Sequence, residues 1–138
     1  MIQEQLAFLP GSLPDYQPFP PAKERTAWQA LPLRAKQRFL QAGETALQTA
    51  LAPLPLTLWL DFTRTGRRTA WETAYFSRRA RLCALVCAEC VEHKGRFLDA
   101  IADTIWTLCE ESAWQLPAHN SYCLLYTSPS PRDAHESR

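Results

Sequence analysis

No stretch of the sequence approaches the ~18 consecutive apolar residues that a membrane-spanning helix requires. The opening MIQEQLAFLPGSLPD has neither a basic n-region nor an apolar h-region. Neither a membrane partner nor a cleaved secretion signal is therefore expected, and cytoplasmic residence is the default. An excess of charge of one sign is missing too. Lys and Arg total 15 against 14 Asp and Glu, a net charge of +1. This balance argues against a protein that binds nucleic acid through bulk charge. Proline is absent between Pro55 and Pro117, and glycine is absent between Gly66 and Gly95. A window without either residue favours helix, because proline removes a backbone donor and glycine costs conformational entropy.

What is present divides the chain. Pro10, Pro14, Pro18, Pro20 and Pro21 crowd the first 21 residues, so residues 1–22 read as an extended, proline-rich lead. Four helical segments are expected after it. The first runs from about Pro32 to Leu51, with Leu33, Leu40, Leu47 and Leu51 on one stripe. The second, Leu54 to Phe62, alternates leucine with other residues. Alternation points to a strand, whereas the leucine content and the prolines at its start allow a short helix. The third begins at Thr69, where Thr69 and Glu72 have capping-box spacing, and spans about 24 residues to the Lys94-Gly95 stop. Leu82, Val86 and Cys90 mark its apolar face. The fourth, about Arg96 to Ser112, places Phe97, Ile101, Ile105, Leu108 and Cys109 on one face and Ala102 and Trp106 on another. Apolar groups on two faces suit a helix wedged between neighbours. The short turn before it implies antiparallel packing of the third and fourth helices.

Cys83, Cys87, Cys90 and His93 include a Cys-x-x-Cys-x-x-His spacing. Four such residues on one helix climb about 15 Å and cannot converge on one zinc ion. With no second cluster and no βαβ context they read as buried core thiols. No metal site and no cofactor are expected, and a metal or redox protein is the weakest of the competing readings. Arg64, Arg67, Arg68, Arg78, Arg79 and Arg81 could hold anionic groups, but the nearby acidic residues favour solvated or salt-bridged surface. At the exit of the fourth helix Glu111, Trp114, His119 and Asn120 fall within ten residues. Such a loop combines a stacking ring, hydrogen-bonding groups and an imidazole, which together suit a sugar. A purely structural helix exit is the plainer alternative.

The run Glu110-Glu111-Ser112-Ala113-Trp114-Gln115-Leu116-Pro117-Ala118-His119-Asn120 resembles a signature of bacterial heparinase II/III-like proteins. Trp28-Gln29-Ala30-Leu31-Pro32, Asp61-Phe62-Thr63-Arg64-Thr65-Gly66 and Ala88 to Asp99 follow that family's style and order, so the resemblance covers roughly residues 20 to 120. It implies an all-α fold, a partial (α/α) toroid of about four helices over residues 23–122, and helix for the second segment. It also implies a parent polysaccharide lyase acting on an acidic polysaccharide or oligosaccharide. In that chemistry a base removes the C5 proton of a uronic acid and the glycosidic oxygen leaves. The family's main catalytic residues are expected beyond this stretch. Trp114, His119, Asn120 and Glu111 are the candidate substrate-binding residues, and no catalytic residue is assigned. Residues 123–138 resemble a translated sequencing-adapter segment and read as a non-native, disordered tail, which makes the chain the N-terminal fragment of a longer enzyme, inactive alone. A self-contained helical protein-interaction module is the alternative.

Overall fold

The computed structural model describes residues 18–119. The lead before residue 18, the candidate Asn120 and the tail over 123–138 lie outside the described residues. Among the described residues the secondary structure is all α, without a strand. The helices are α1 (Arg25–Gln29), α2 (Leu33–Gln48), α3 (Leu56–Thr65), α4 (Thr69–Glu92) and α5 (Leu98–Cys109). None of them is long and apolar enough to cross a membrane.

The boundaries follow local chemistry. Pro32 and Pro55 occupy the N-cap positions of α2 and α3, where a missing N–H costs nothing. The ambiguous second segment is helical and runs on to Thr65. Gly66 ends it in the left-handed region, φ 75°, with its N–H donating to the Phe62 carbonyl at 2.8 Å. At α4 the capping box does not form. Arg68 already has helical backbone angles, so Thr69 lies inside the helix, and Glu72 pairs with Arg68 at 3.6 Å instead. The other end of α4 stops at His93, a non-glycine residue at φ 58° whose N–H donates to Glu89 at 2.7 Å.

Helix α4 is the spine, with α2 and α5 packed against it. Both neighbours run antiparallel to it. Along α5 and the residues beside it, Phe97, Thr104, Glu111 and Trp114 meet Glu89, Arg81, Arg78 and Tyr75 in turn. The core is small and formed by Ala46, Leu85, Ala88 and Phe97. The closest approach of α2 and α4 is at Gly43, where an added Cβ would stand 2.3 Å from the Ala88 Cβ.

The inward faces agree with those expected in part: Phe97 and Cys90 are buried, and Leu47 and Ile101 pack against the core, but other expected positions face outward. Leu33 is 70% exposed, while Gly43 and Ala46 are buried. In α4 the fully buried residues are Leu85 and Ala88, and Val86 faces outward. In α5 the buried position is Thr104, and Ile105 and Cys109 are exposed. Helical leucine stripes indicate an apolar face, yet close packing of α2 on α4 places the small Gly43, Ala46 and Ala88 beside the large Leu85 and Phe97. The cysteines are not uniformly core thiols either: Cys83 is exposed, Cys87 half-buried and Cys90 buried. No group of three or more His, Cys, Asp or Glu among the described residues is placed to hold a metal ion.

Arginine side chains tie the connections to this frame. Arg81 donates to the Ala46 and Thr49 carbonyls at the end of α2 and to the Thr104 hydroxyl. Arg78 Nε donates to the Ala52 carbonyl at 2.7 Å. Arg25 donates to the Cys90 and Val91 carbonyls at 2.7 and 3.1 Å, where the last turn of α4 has orphan acceptors. Glu89 works in the opposite sense. Its buried carboxylate accepts from the Gly95 and Phe97 N–H groups at 2.7 and 3.3 Å, ahead of the α5 N-terminus.

Candidate functional site

The exit of α5 is held by two arginines and a tyrosine from α4. Glu111 is the central residue, with its side chain only 2% exposed. One carboxylate oxygen accepts from Arg78 at 3.1 Å and the other from Arg79 at 2.7 Å. Charge-assisted pairs of this kind are the stronger hydrogen bonds of a protein. Arg79 also lies over the Tyr75 ring, 3.2 Å from its centroid. Tyr75 in turn donates its hydroxyl to the Trp114 carbonyl at 2.6 Å. The Trp114 indole N–H donates at 3.0 Å to the Leu108 carbonyl near the α5 C-terminus, which also accepts the Glu111 N–H at 3.3 Å.

These contacts fix Trp114 at both its backbone and its indole nitrogen, yet leave the residue 64% exposed. A ring so held is a preset stacking surface, with little ordering entropy left to lose on contact. Glu111 has a different part: both its oxygens are engaged by guanidiniums, so it positions the loop that carries Trp114. His119 is exposed and lies in a short helical turn, its N–H donating to the Leu116 carbonyl at 2.9 Å. Asn120 lies outside the described residues.

A cleft of about 380 Å³ opens beside Glu111. Leu54, Leu56, Trp59 and Trp71 form its apolar wall, while Thr107, Glu110 and Ser112 supply polar groups. Trp59 and Trp71 meet edge to face with centroids 5.0 Å apart, a favoured aromatic arrangement. The volume lies in the range of small-ligand sites. Leu54 reaches the cleft because Arg78 anchors the α2–α3 connection at Ala52, and the same guanidinium pairs with Glu111.

Sequence reasoning found the loop but missed what supports it. Arg78 and Arg79 stand 33 and 32 positions before Glu111 in the chain, and no local spacing connects them. The one available signal was the antiparallel arrangement of the third and fourth helices, which brings the start of α4 to the end of α5. Trp59 and Trp71 were visible as tryptophans but not as a pair.

Two cysteine thiols have shifted acidity. Burial is the first cause at both Cys87 and Cys90 and pushes each thiol up from its ordinary value, with Cys83 and Cys90 adding to the shift at Cys87. A raised thiol holds less of the thiolate, its nucleophilic and metal-binding form, at neutral pH. Comparison with known proteins adds no relative: no family model matches the chain, and no curated protein matches it.

Proposed function

We propose that this chain is the N-terminal helical part of a heparinase II/III-like polysaccharide lyase, the beginning of an (α/α) toroid. In this reading the α5 exit loop contributes binding surface for an acidic polysaccharide or oligosaccharide, and the groups that carry out β-elimination reside elsewhere in the parent enzyme. The observation that carries it is the fixed, outward-facing Trp114 ring on the segment that resembles the family signature. An indole offers its flat face to the apolar side of a sugar ring, and His119 follows five residues later on the same exit segment.

In this reading Glu111 and its two arginines are not among the groups that carry out elimination. Elimination needs a base at the C5 proton, a donor at the glycosidic oxygen and a group that neutralises the uronate carboxylate. Glu111 cannot serve as that base while two guanidiniums occupy it, and Arg78 and Arg79 are committed to Glu111. In this reading Glu111 orients the exit loop, and the loop binds the sugar.

Tryptophan fluorescence titration with heparin-derived oligosaccharides tests the reading. The intact chain is expected to give a saturable change that Trp114→Ala abolishes, while neutral dextran gives none. No saturable change with any acidic oligosaccharide, or an unchanged response in Trp114→Ala, would contradict it and leave the helical interaction module as the better account.

A further inference from the structure

The thiols of α4 take no part in the α5 exit. Cys83 and Cys87 stand one turn apart on the uninterrupted helix Thr69–Glu92, and Cys90 follows three residues later. Cys83 is exposed, Cys87 half-buried and Cys90 buried. Side chains four residues apart share a helix face, with Cβ atoms about 5–6 Å from each other. A disulfide needs Cβ atoms about 3.5–4.5 Å apart, so Cys83 and Cys87 are set too wide to join directly on a regular helix. The spacing instead leaves room for one atom between the two sulfurs. Burial first, then the neighbouring Cys83 and Cys90, push the Cys87 thiol up, so the three sulfurs sense one another.

The surroundings restrict what that atom can be. Zinc takes four ligands, and no group of three or more His, Cys, Asp or Glu among the described residues is placed to hold a metal ion. The positions three and four residues from the pair carry Arg79, Ala80, Ala84, Val86, Cys90 and Val91. None of these has a carboxylate or an imidazole, and Arg79 is bound to Glu111. Glu89, two residues from Cys87, is engaged by the Gly95 and Phe97 N–H groups. His93 lies six residues beyond Cys87, about 9 Å further along the axis. Two sulfurs in a largely apolar setting remain, and they are soft donors without a hard partner.

We propose that Cys83 and Cys87 form a two-coordinate site for a soft monovalent metal ion, copper(I). Thiolate ligands select copper(I) among the metals available to proteins, and a closed-shell monovalent ion is satisfied by two sulfurs in line. On binding, each S–H bond breaks, both protons pass to solvent and two Cu–S bonds form. Copper enters and stays as copper(I), so no electron is transferred. The exposed Cys83 is the point of entry and Cys87 the second ligand. Cys90 stays outside, because seven residues separate it from Cys83 by about 10 Å along the helix. The proposal does not depend on the lyase reading.

Competition for copper(I) with bathocuproine disulfonate, under anaerobic reducing conditions, tests it. The full chain is used with Cys109→Ser and Cys123→Ser, so that only the α4 thiols remain. One copper(I) per chain is expected, with two sulfur neighbours in X-ray absorption. Cys83→Ser and Cys87→Ser should each weaken binding by roughly a hundredfold or more, because a two-point attachment becomes a one-point attachment. Cys90→Ala should leave the affinity unchanged, and circular dichroism checks that each variant is folded. Binding that survives Cys83→Ser, or that is lost in folded Cys90→Ala, would overturn the proposal, as would a folded parent that takes up no stoichiometric copper(I). One ion per two chains, with dimers forming on loading, would overturn it in favour of a site shared between two copies.

Discussion

Replacing Gly43 with alanine sets two opposing effects against each other. Alanine is the better helix former, and in the interior of α2 the exchange favours the folded state by about 0.8–1.0 kcal/mol. Against this stands the approach of α4. The new methyl would lie 2.3 Å from the Ala88 Cβ and 3.0 and 3.3 Å from two Phe97 ring carbons. Comfortable carbon contacts are about 3.5–4.0 Å, so α2 and α4 would have to part by more than about 1 Å at their closest point. The obstructing Cβ is fixed to the α4 backbone and has no rotamer to change, and Ala88 and Phe97 are both fully buried. Overpacking of this kind costs about 1–3 kcal/mol, and the rigid contact places Gly43→Ala at the upper end. The net effect is a loss of about 1–2 kcal/mol, which lowers Tm by roughly 4–8 °C per kcal/mol in a domain of this size. Circular dichroism during thermal and urea unfolding measures it. Combining Gly43→Ala with Ala88→Gly should recover stability beyond the sum of the single changes, because the two methyls are the clash. A Gly43→Ala protein as stable as its parent, or more so, would refute the close approach of α2 and α4.

Glu111→Gln leaves Arg78 and Arg79 without their shared carboxylate. The side chain is buried, so the expected loss is about 3 kcal/mol, toward the low end for a broken buried pair because Arg79 is partly exposed; limited proteolysis should then cut near Trp114 sooner than in the parent. Arg25→Ala removes the cation from the last turn of α4 and should cost about 1–2 kcal/mol in urea unfolding, with no change at the α5 exit. Glu44 gives a pH test. The hydrogen bond from Arg96 holds its carboxyl below the usual 4.5. Stability from that pair is therefore complete above pH 4.5 and lost as pH falls through the lowered value. Acid-unfolding curves of the parent and Glu44→Gln should differ above that window and converge below it.

The elements were legible in the sequence because their punctuation is local. Pro32, Pro55 and Gly66 each act on their own backbone, and the glycine- and proline-free run gave the length of α4. The faces were less legible. A leucine stripe such as Leu33, Leu40 and Leu47 marks apolarity but not which side a neighbour approaches. Here the buried positions are Gly43 and Ala46, with Leu47 of the stripe packed beside them and Leu33 exposed. The candidate site divided in the same way. Trp114 and Glu111 stood out by residue type and clustering, while their opposite roles depend on Tyr75, Arg78 and Arg79, whose positions are set by antiparallel packing of α4 and α5. Cys83, Cys87 and Cys90 suggested core because cysteine is commonly buried; Cys90 is buried, while Leu85 and Ala88 occupy the fully buried face of α4 and leave Cys83 exposed and Cys87 half-buried.

The most direct test of the lyase account is an elimination assay on the protein encoded by the complete reading frame that carries this chain. Heparin-like and other uronate-containing polysaccharides are the substrates, and the readout is the absorbance of the unsaturated uronate product. The account predicts product with at least one acidic polysaccharide, a raised KM in Trp114→Ala, and no product from residues 1–138 alone. Turnover by residues 1–138 would show that the catalytic groups have been misplaced. A folded full-length protein that neither binds nor cleaves any acidic polysaccharide would contradict the account itself.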